Sequence, residues 1–286
     1  MDEIKPVWTS SSYLLYAGAL TVLGAALGAL AYLSANYGDA AYAAWSLLVF
    51  GVLVALADVF LRRGQRIAAG VFVFVGLVAW AAFLAAVWTW FGWLHSGSFD
   101  SLAGFSVARL SLLLLVLAAA LHDRRKYGFP FVGLIVAVVF WIFTLDLVSS
   151  GAGTWGRVVT LLVGLAYLAA GSGSDRPSAF WLHLVGGVLI GGVLLGWWHS
   201  SDTDWALVSA GALVYVLIAY ATRRSSWAVL GTIGFTAATM HYLFGSITAG
   251  LPESPPSLNA WSPIVAFACL GFWFVLLGLL GRRREA

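Results

Sequence analysis

Residues 67–94 read IAAGVFVFVGLVAWAAFLAAVWTWFGWL, and the chain then breaks into His95-Ser96-Gly97-Ser98-Phe99-Asp100. At about 1.5 Å per residue, this uncharged run is long enough to cross a hydrocarbon layer of about 30 Å as a helix. Leu, Ala, Val, Phe and Gly come in blocks, without the alternation of a lipid-facing barrel strand. The run therefore reads as a membrane-spanning helix, with Arg62, Arg63 and Arg66 before it and tryptophans at its far end.

The rest of the chain repeats this pattern. Over 286 residues, 62% are hydrophobic and 9% charged, and the mean hydropathy is +0.94. Soluble domains carry roughly 25% charged residues, and a globule of this size still needs a polar exterior. The expected fold is an all-α, polytopic integral membrane bundle forming a single membrane domain over residues 1–286. Ten spans are expected: 13–35, 41–61, 67–94, 104–121, 128–149, 154–171, 178–198, 205–222, 226–247 and 263–281. The N-terminal Met1-Asp2-Glu3-Ile4-Lys5-Pro6 lacks the basic region of a secretory signal, so the first run is expected to be a retained span.

Charge sets the expected orientation. With both termini cytoplasmic, thirteen of the fifteen Lys and Arg residues face inward, all but Arg109 and Arg157. Short loops rich in Lys and Arg stay cytoplasmic, so the chain is expected in a bacterial-type plasma membrane with its ends inside.

The turn at Gly92–Asp100 has a counterpart 104 positions later, Gly196-Trp197-Trp198-His199-Ser200-Ser201-Asp202-Thr203-Asp204. Each closes an apolar run with aromatics, presents a His and an Asp, and precedes another run ending in arginines. This predicts a four-helix unit used twice in parallel orientation, 62–171 and 174–281, behind an N-terminal hairpin at 13–61. Gly186, Gly187, Gly191 and Gly192 are expected at helix-packing positions, where small residues let backbones approach.

Nine of the fifteen tryptophans map to the outer third of the bundle, and His95, Asp100, Arg109, Asp146, Arg157, His199, Asp202, Asp204 and His241 belong to the outer end of a span or its adjoining loop. An aromatic belt serves both interfaces, so the outer excess reads either as a belt alone, with arginines anchoring the inner face, or as a partly aromatic-lined outer cavity. Trp93, His95, Arg109, Asp146, Trp197, Trp198, His199 and His241 are the ligand-binding candidates. Charges in the hydrocarbon layer need partners, and Asp146 on the next span is the expected partner of Arg109. The pair reads either as a structural ion bond or as a holder that presents Arg109 to a carboxylate or phosphate. His95, His199 and His241 furnish the minority reading of a haem or metal site, although no HxxxH, HExxH or CxxCH spacing accompanies them. Otherwise no cofactor is expected. Thr232, Thr236 and Thr239 form a stripe on one span that lines a path or bonds its own backbone.

No phosphate loop, no nucleophile-base pair and no nucleic-acid signature is present, so an enzyme is not the favoured reading. In size, span count and inward termini the chain resembles the ten-span drug and metabolite exporters. That family has two five-span halves of opposite orientation, whereas the repeat here uses four spans in parallel, and no motif of the family carries over. The expected function is a small-molecule carrier or permease. Its alternatives are a non-transporting subunit that anchors, senses or stabilises a membrane partner, and a haem- or metal-binding membrane protein. The lipid bilayer is the expected partner, with a small-molecule substrate or a second membrane protein beside it.

Overall fold

The computed structural model describes residues 10–95, 98–99, 102, 104–151, 153–174, 176–222 and 224–244. Among them every regular element is a helix: α1 (Ser10–Arg62), α2 (Arg66–Trp90), α3 (Val107–Tyr127), α4 (Val132–Leu147), α5 (Thr154–Ser172), α6 (Ala179–Trp197), α7 (Asp202–Thr222) and α8 (Ser225–Phe244). Five stretches are long and apolar enough to cross a membrane: Asn36–Arg62, Arg66–Trp90, Thr154–Ser172, Ala179–Trp197 and Thr203–Thr222. The chain is an all-α, multi-pass membrane protein whose apolar helices contact a lipid bilayer.

Among the described residues eight helices are assigned, the first of them two helices joined across a kink. The expected spans 13–35 and 41–61 both fall inside α1, whose backbone leaves helical geometry at Gly38 (φ 76°, ψ −179°). The expected turn at Asn36-Tyr37-Gly38-Asp39 has no proline to interrupt hydrogen bonding, so the break falls on the one residue that tolerates positive φ without strain. The span expected at 263–281 lies outside the described residues.

The chain falls into two compact units, Met1–Ile190 and Gly191–Ala286. In the first, α2 packs on α1 and on α3, α3 on α4, and α4 on α5. Near one end of α2, Leu53, Ala57, Val73, Leu77, Ala120, Tyr127 and Val132 form a buried cluster. Toward the other end, Leu84, Leu94, Leu112, Leu113 and Val116 form a second, flanked by Trp80, Trp88 and Ile142. Helices α5 and α6 meet through glycines. A Cβ on Gly186 would lie 2.8 Å from the Gly164 carbonyl oxygen, and a Cβ on Gly164 would lie 3.0 Å from that of Gly186. Only residues without side chains permit that approach. Gly191 and Gly192, expected to serve the same purpose, have open space where a Cβ would project.

Helix α3 explains how charged residues are kept at the ends of the first unit. Ser106 caps it, accepting from the Arg109 N–H at 3.3 Å, and Gly128 ends it in the left-handed region (φ 65°). It runs six residues past the expected end at 121, because a helical backbone does not need apolar side chains: Arg125 is exposed, and Arg124 and Lys126 bond Ser178 and Asp58. About 26 Å of helix rise separates Arg109 from Lys126, close to the thickness of a hydrocarbon core.

In the second unit α7 packs on α8. Gly231 sits at the contact, where an added Cβ would lie 2.8 Å from the Ala212 carbonyl.

Candidate functional site

Arg109 lies in the first turn of α3 and Asp146 in the last turn of α4. Both charges oppose the helix dipole, a cation at an N-terminus and an anion at a C-terminus. Their exposures are 7% and 0%. Two such charges persist there because each compensates the other.

The guanidinium Nε donates to Asp146 Oδ1 at 2.9 Å, and Nη2 donates to the same oxygen at 2.6 Å. Nη1 donates to the Ser98 carbonyl at 2.7 Å, and Nη2 also donates to the Gly104 carbonyl. Arg109 thus ties the connection after α2 to the ends of α3 and α4. Four of its five N–H groups are taken up by these bonds, which leaves it a poor fork for a substrate carboxylate or phosphate. Asp146 is different. Both donors converge on Oδ1, and Oδ2 is buried with no hydrogen-bond partner among the described residues.

The aromatic residues at the end of α2 stand beside this clamp. Trp88 Nε1 donates to Ser111 Oγ at 3.1 Å, fixing α2 against α3 two residues after Arg109. Trp93 meets Trp88 edge-on at 5.6 Å and stacks on Phe91 at 5.4 Å, and Phe91 stacks on Trp90 at 5.7 Å. Trp90, Phe91 and Trp93 are 58–60% exposed. Gly92 (φ 71°) provides the turn between them. His95 is exposed, and its N–H donates to Ser98 Oγ at 2.8 Å. It helps shape the connection that Arg109 holds.

The candidates of the second unit form their own group. The rings of His241 and Trp205 stack at 4.4 Å with 10° between their planes, and the buried Trp205 donates from Nε1 to the His199 carbonyl at 3.1 Å. Trp197 and Trp198 meet edge-on at 6.0 Å, and Trp198 and the His199 ring are exposed. Trp205, which joins the two histidines, is the residue that spacing alone did not single out. A signal was available, since Ser201 and Asp204 form a reciprocal cap that places Trp205 in the first turn of α7. Ser201 N–H donates to Asp204 Oδ2 at 3.1 Å and Asp204 N–H donates to Ser201 Oγ at 3.2 Å, the S-x-x-D pattern of a helix start. Two threonines of the stripe are turned on their own helix: Thr232 and Thr239 hydroxyls donate to the Ala228 and Phe235 carbonyls at 2.9 and 2.8 Å.

At the opposite end of α3, Asp58 accepts from Lys126 Nζ and Tyr127 Oη, each at 2.6 Å. Arg124 donates to the buried Ser178 at 2.8 Å, and the buried His183 ring lies 3.1 Å from Ser172 Oγ. These contacts gather the ends of α1, α3, α5 and α6. Among the described residues no three His, Cys, Asp or Glu side chains are grouped to hold a metal ion.

The fold and these contacts define a multi-pass helical membrane protein with a buried ion pair near one end of its first unit. No protein-family model, curated protein or solved structure matches the chain.

Proposed function

We propose that the protein is a small-molecule carrier whose binding region lies at the Arg109–Asp146 end of α2, α3 and α4. The observation that carries this reading is the buried pair itself. Charges within a bilayer are costly, and an ionisable residue inside a membrane helix is by default a candidate for a functional site. Trp88 and Trp93 border the region, and His95 belongs to the connection above it. Trp197, Trp198, His199 and His241 form a second candidate group with Trp205. In this reading the termini are cytoplasmic, the Arg109 end faces outward, and residues 62–171 and 174–281 are parallel copies. The positioning of Lys126, Arg124 and Asp58 together at the other end of α3 supports the orientation.

An osmotic swelling assay tests transport. Proteoliposomes are mixed with gradients of glycerol, urea, erythritol, sodium acetate and ethylammonium chloride. Faster swelling than protein-free vesicles for at least one solute, reduced in Asp146→Asn, supports a carrier. Rates equal to empty vesicles for all solutes overturn it.

A second reading is a non-transporting subunit. It is favoured by the low burial of two apolar stretches, 17% for Asn36–Arg62 and 11% for Thr203–Thr222, which leaves broad helix faces for lipid or a partner.

A further inference from the structure

The unused oxygen of Asp146 has a chemical consequence. A buried carboxylate oxygen without a donor forfeits the hydrogen bonds it had in water, which costs about 1–3 kcal/mol or more for a charged group, so such an atom in a native structure calls for an explanation, an ordered water or a bound group among them. Asp146 is fully buried, and its Oδ1 already takes two bonds from Arg109 while Oδ2 takes none among the described residues.

Charge then selects the class of molecule that completes it. Arg109 and Asp146 together are neutral, so a cation placed on Oδ2 would add a net charge to a site with no exposure to water, within about 3 Å of a carboxylate whose charge is already matched. An anion would lie beside the buried Asp146 carboxylate, and four of the five Arg109 N–H groups are already committed to Asp146, Ser98 and Gly104. An uncharged donor adds no charge and satisfies the oxygen. We propose that Asp146 Oδ2 is the acceptor of a binding site for an uncharged hydroxyl or amide group. Arg109, which holds the other oxygen of Asp146, is itself bound to the Ser98 and Gly104 carbonyls. The hydroxyl could belong to a free solute or to a glycerol headgroup of a lipid. The inference rests on the reading of this end as a ligand site, but its test is of binding alone and does not need flux.

The full chain is placed in phosphatidylcholine nanodiscs with carboxylates isotope-labelled, and infrared difference spectra are recorded on adding glycerol, acetamide, acetate or ethylammonium. Glycerol and acetamide are expected to shift one carboxylate stretch in the wild type, and the shift is expected to vanish in Asp146→Asn, in which an amide N–H replaces the acceptor. If the shift comes only when phosphatidylglycerol is added to the disc, the occupant is a lipid headgroup; if free glycerol produces it, a solute. Either outcome supports the site. No shift with any uncharged probe, a larger shift with ethylammonium or acetate, or an unchanged shift in Asp146→Asn overturns it. The wild-type spectrum decides even if the variant misfolds. Binding without swelling would remove the carrier and keep the site, whereas swelling without binding would do the reverse.

Discussion

Replacing Asp146 with leucine should be among the most destabilising single changes in the first unit. The variant leaves the Arg109 guanidinium buried, with bonds to the Ser98 and Gly104 carbonyls but no counter-charge. Breaking a buried ion pair from one side costs about 3–5 kcal/mol. The double variant Arg109→Met/Asp146→Leu removes both charges and leaves a volume that apolar side chains can fill, so its remaining cost is the loss of the two carbonyl bonds. At about 1 kcal/mol each, the double variant should lose about 2 kcal/mol, less than Asp146→Leu alone. The coupling between the two positions, measured by unfolding in mixed micelles as a double-mutant cycle, should exceed 2 kcal/mol. A neutral interhelical hydrogen bond in a membrane averages about 0.6 kcal/mol. A coupling near that value, or a double variant worse than the single one, would refute the view that the two charges are held in a dry site for each other.

Gly186→Leu should separate α5 from α6, because even its Cβ would lie 2.8 Å from the Gly164 carbonyl; loss of about 2 kcal/mol or more in the same unfolding assay is expected, whereas Gly192→Leu, which projects into open space, should be near neutral. Tyr127→Phe removes a buried hydroxyl bound to Asp58, and a loss of about 1 kcal/mol is expected, with Lys126 still holding the carboxylate. Trp205→Phe keeps a ring for His241 but removes the bond to His199; it should lower the stability of the second unit by about 1 kcal/mol and raise hydrogen exchange at the start of α7. Trp93→Ala, at an exposed ring, should change micellar stability by less than about 0.5 kcal/mol while reducing tryptophan quenching by lipids brominated near the headgroup.

The sequence made the membrane class legible because apolar length is a direct consequence of bilayer thickness, as residues 67–94 illustrate. Helix ends were less legible. Hydropathy places the end of a span where charge begins, but α3 continues through Asp123 to Tyr127 and is stopped by Gly128. The break at Gly38 was readable as a position and not as a geometry, since a short polar turn and a single distorted residue have nearly the same composition. The pairing of Arg109 with Asp146 followed from the cost of charge in hydrocarbon. Its geometry did not, because the bonds that turn Arg109 inward come from backbone carbonyls at Ser98 and Gly104, and carbonyl positions leave no mark on residue identity. Trp205 was missed for a related reason: its roles depend on the ring of His241, thirty-six positions away, and on a carbonyl at His199.

The proposed orientation rests on α2 crossing the membrane with its Phe99 end outside and its Gln65 end inside. Its most direct test is labelling of two single-cysteine variants on a Cys269→Ser background, one at the exposed Phe99 and one at the exposed Gln65, with a membrane-impermeant maleimide in intact and permeabilised cells. The predicted result is labelling of Phe99→Cys in intact cells and of Gln65→Cys only after permeabilisation. Labelling of both positions from the same side would contradict it.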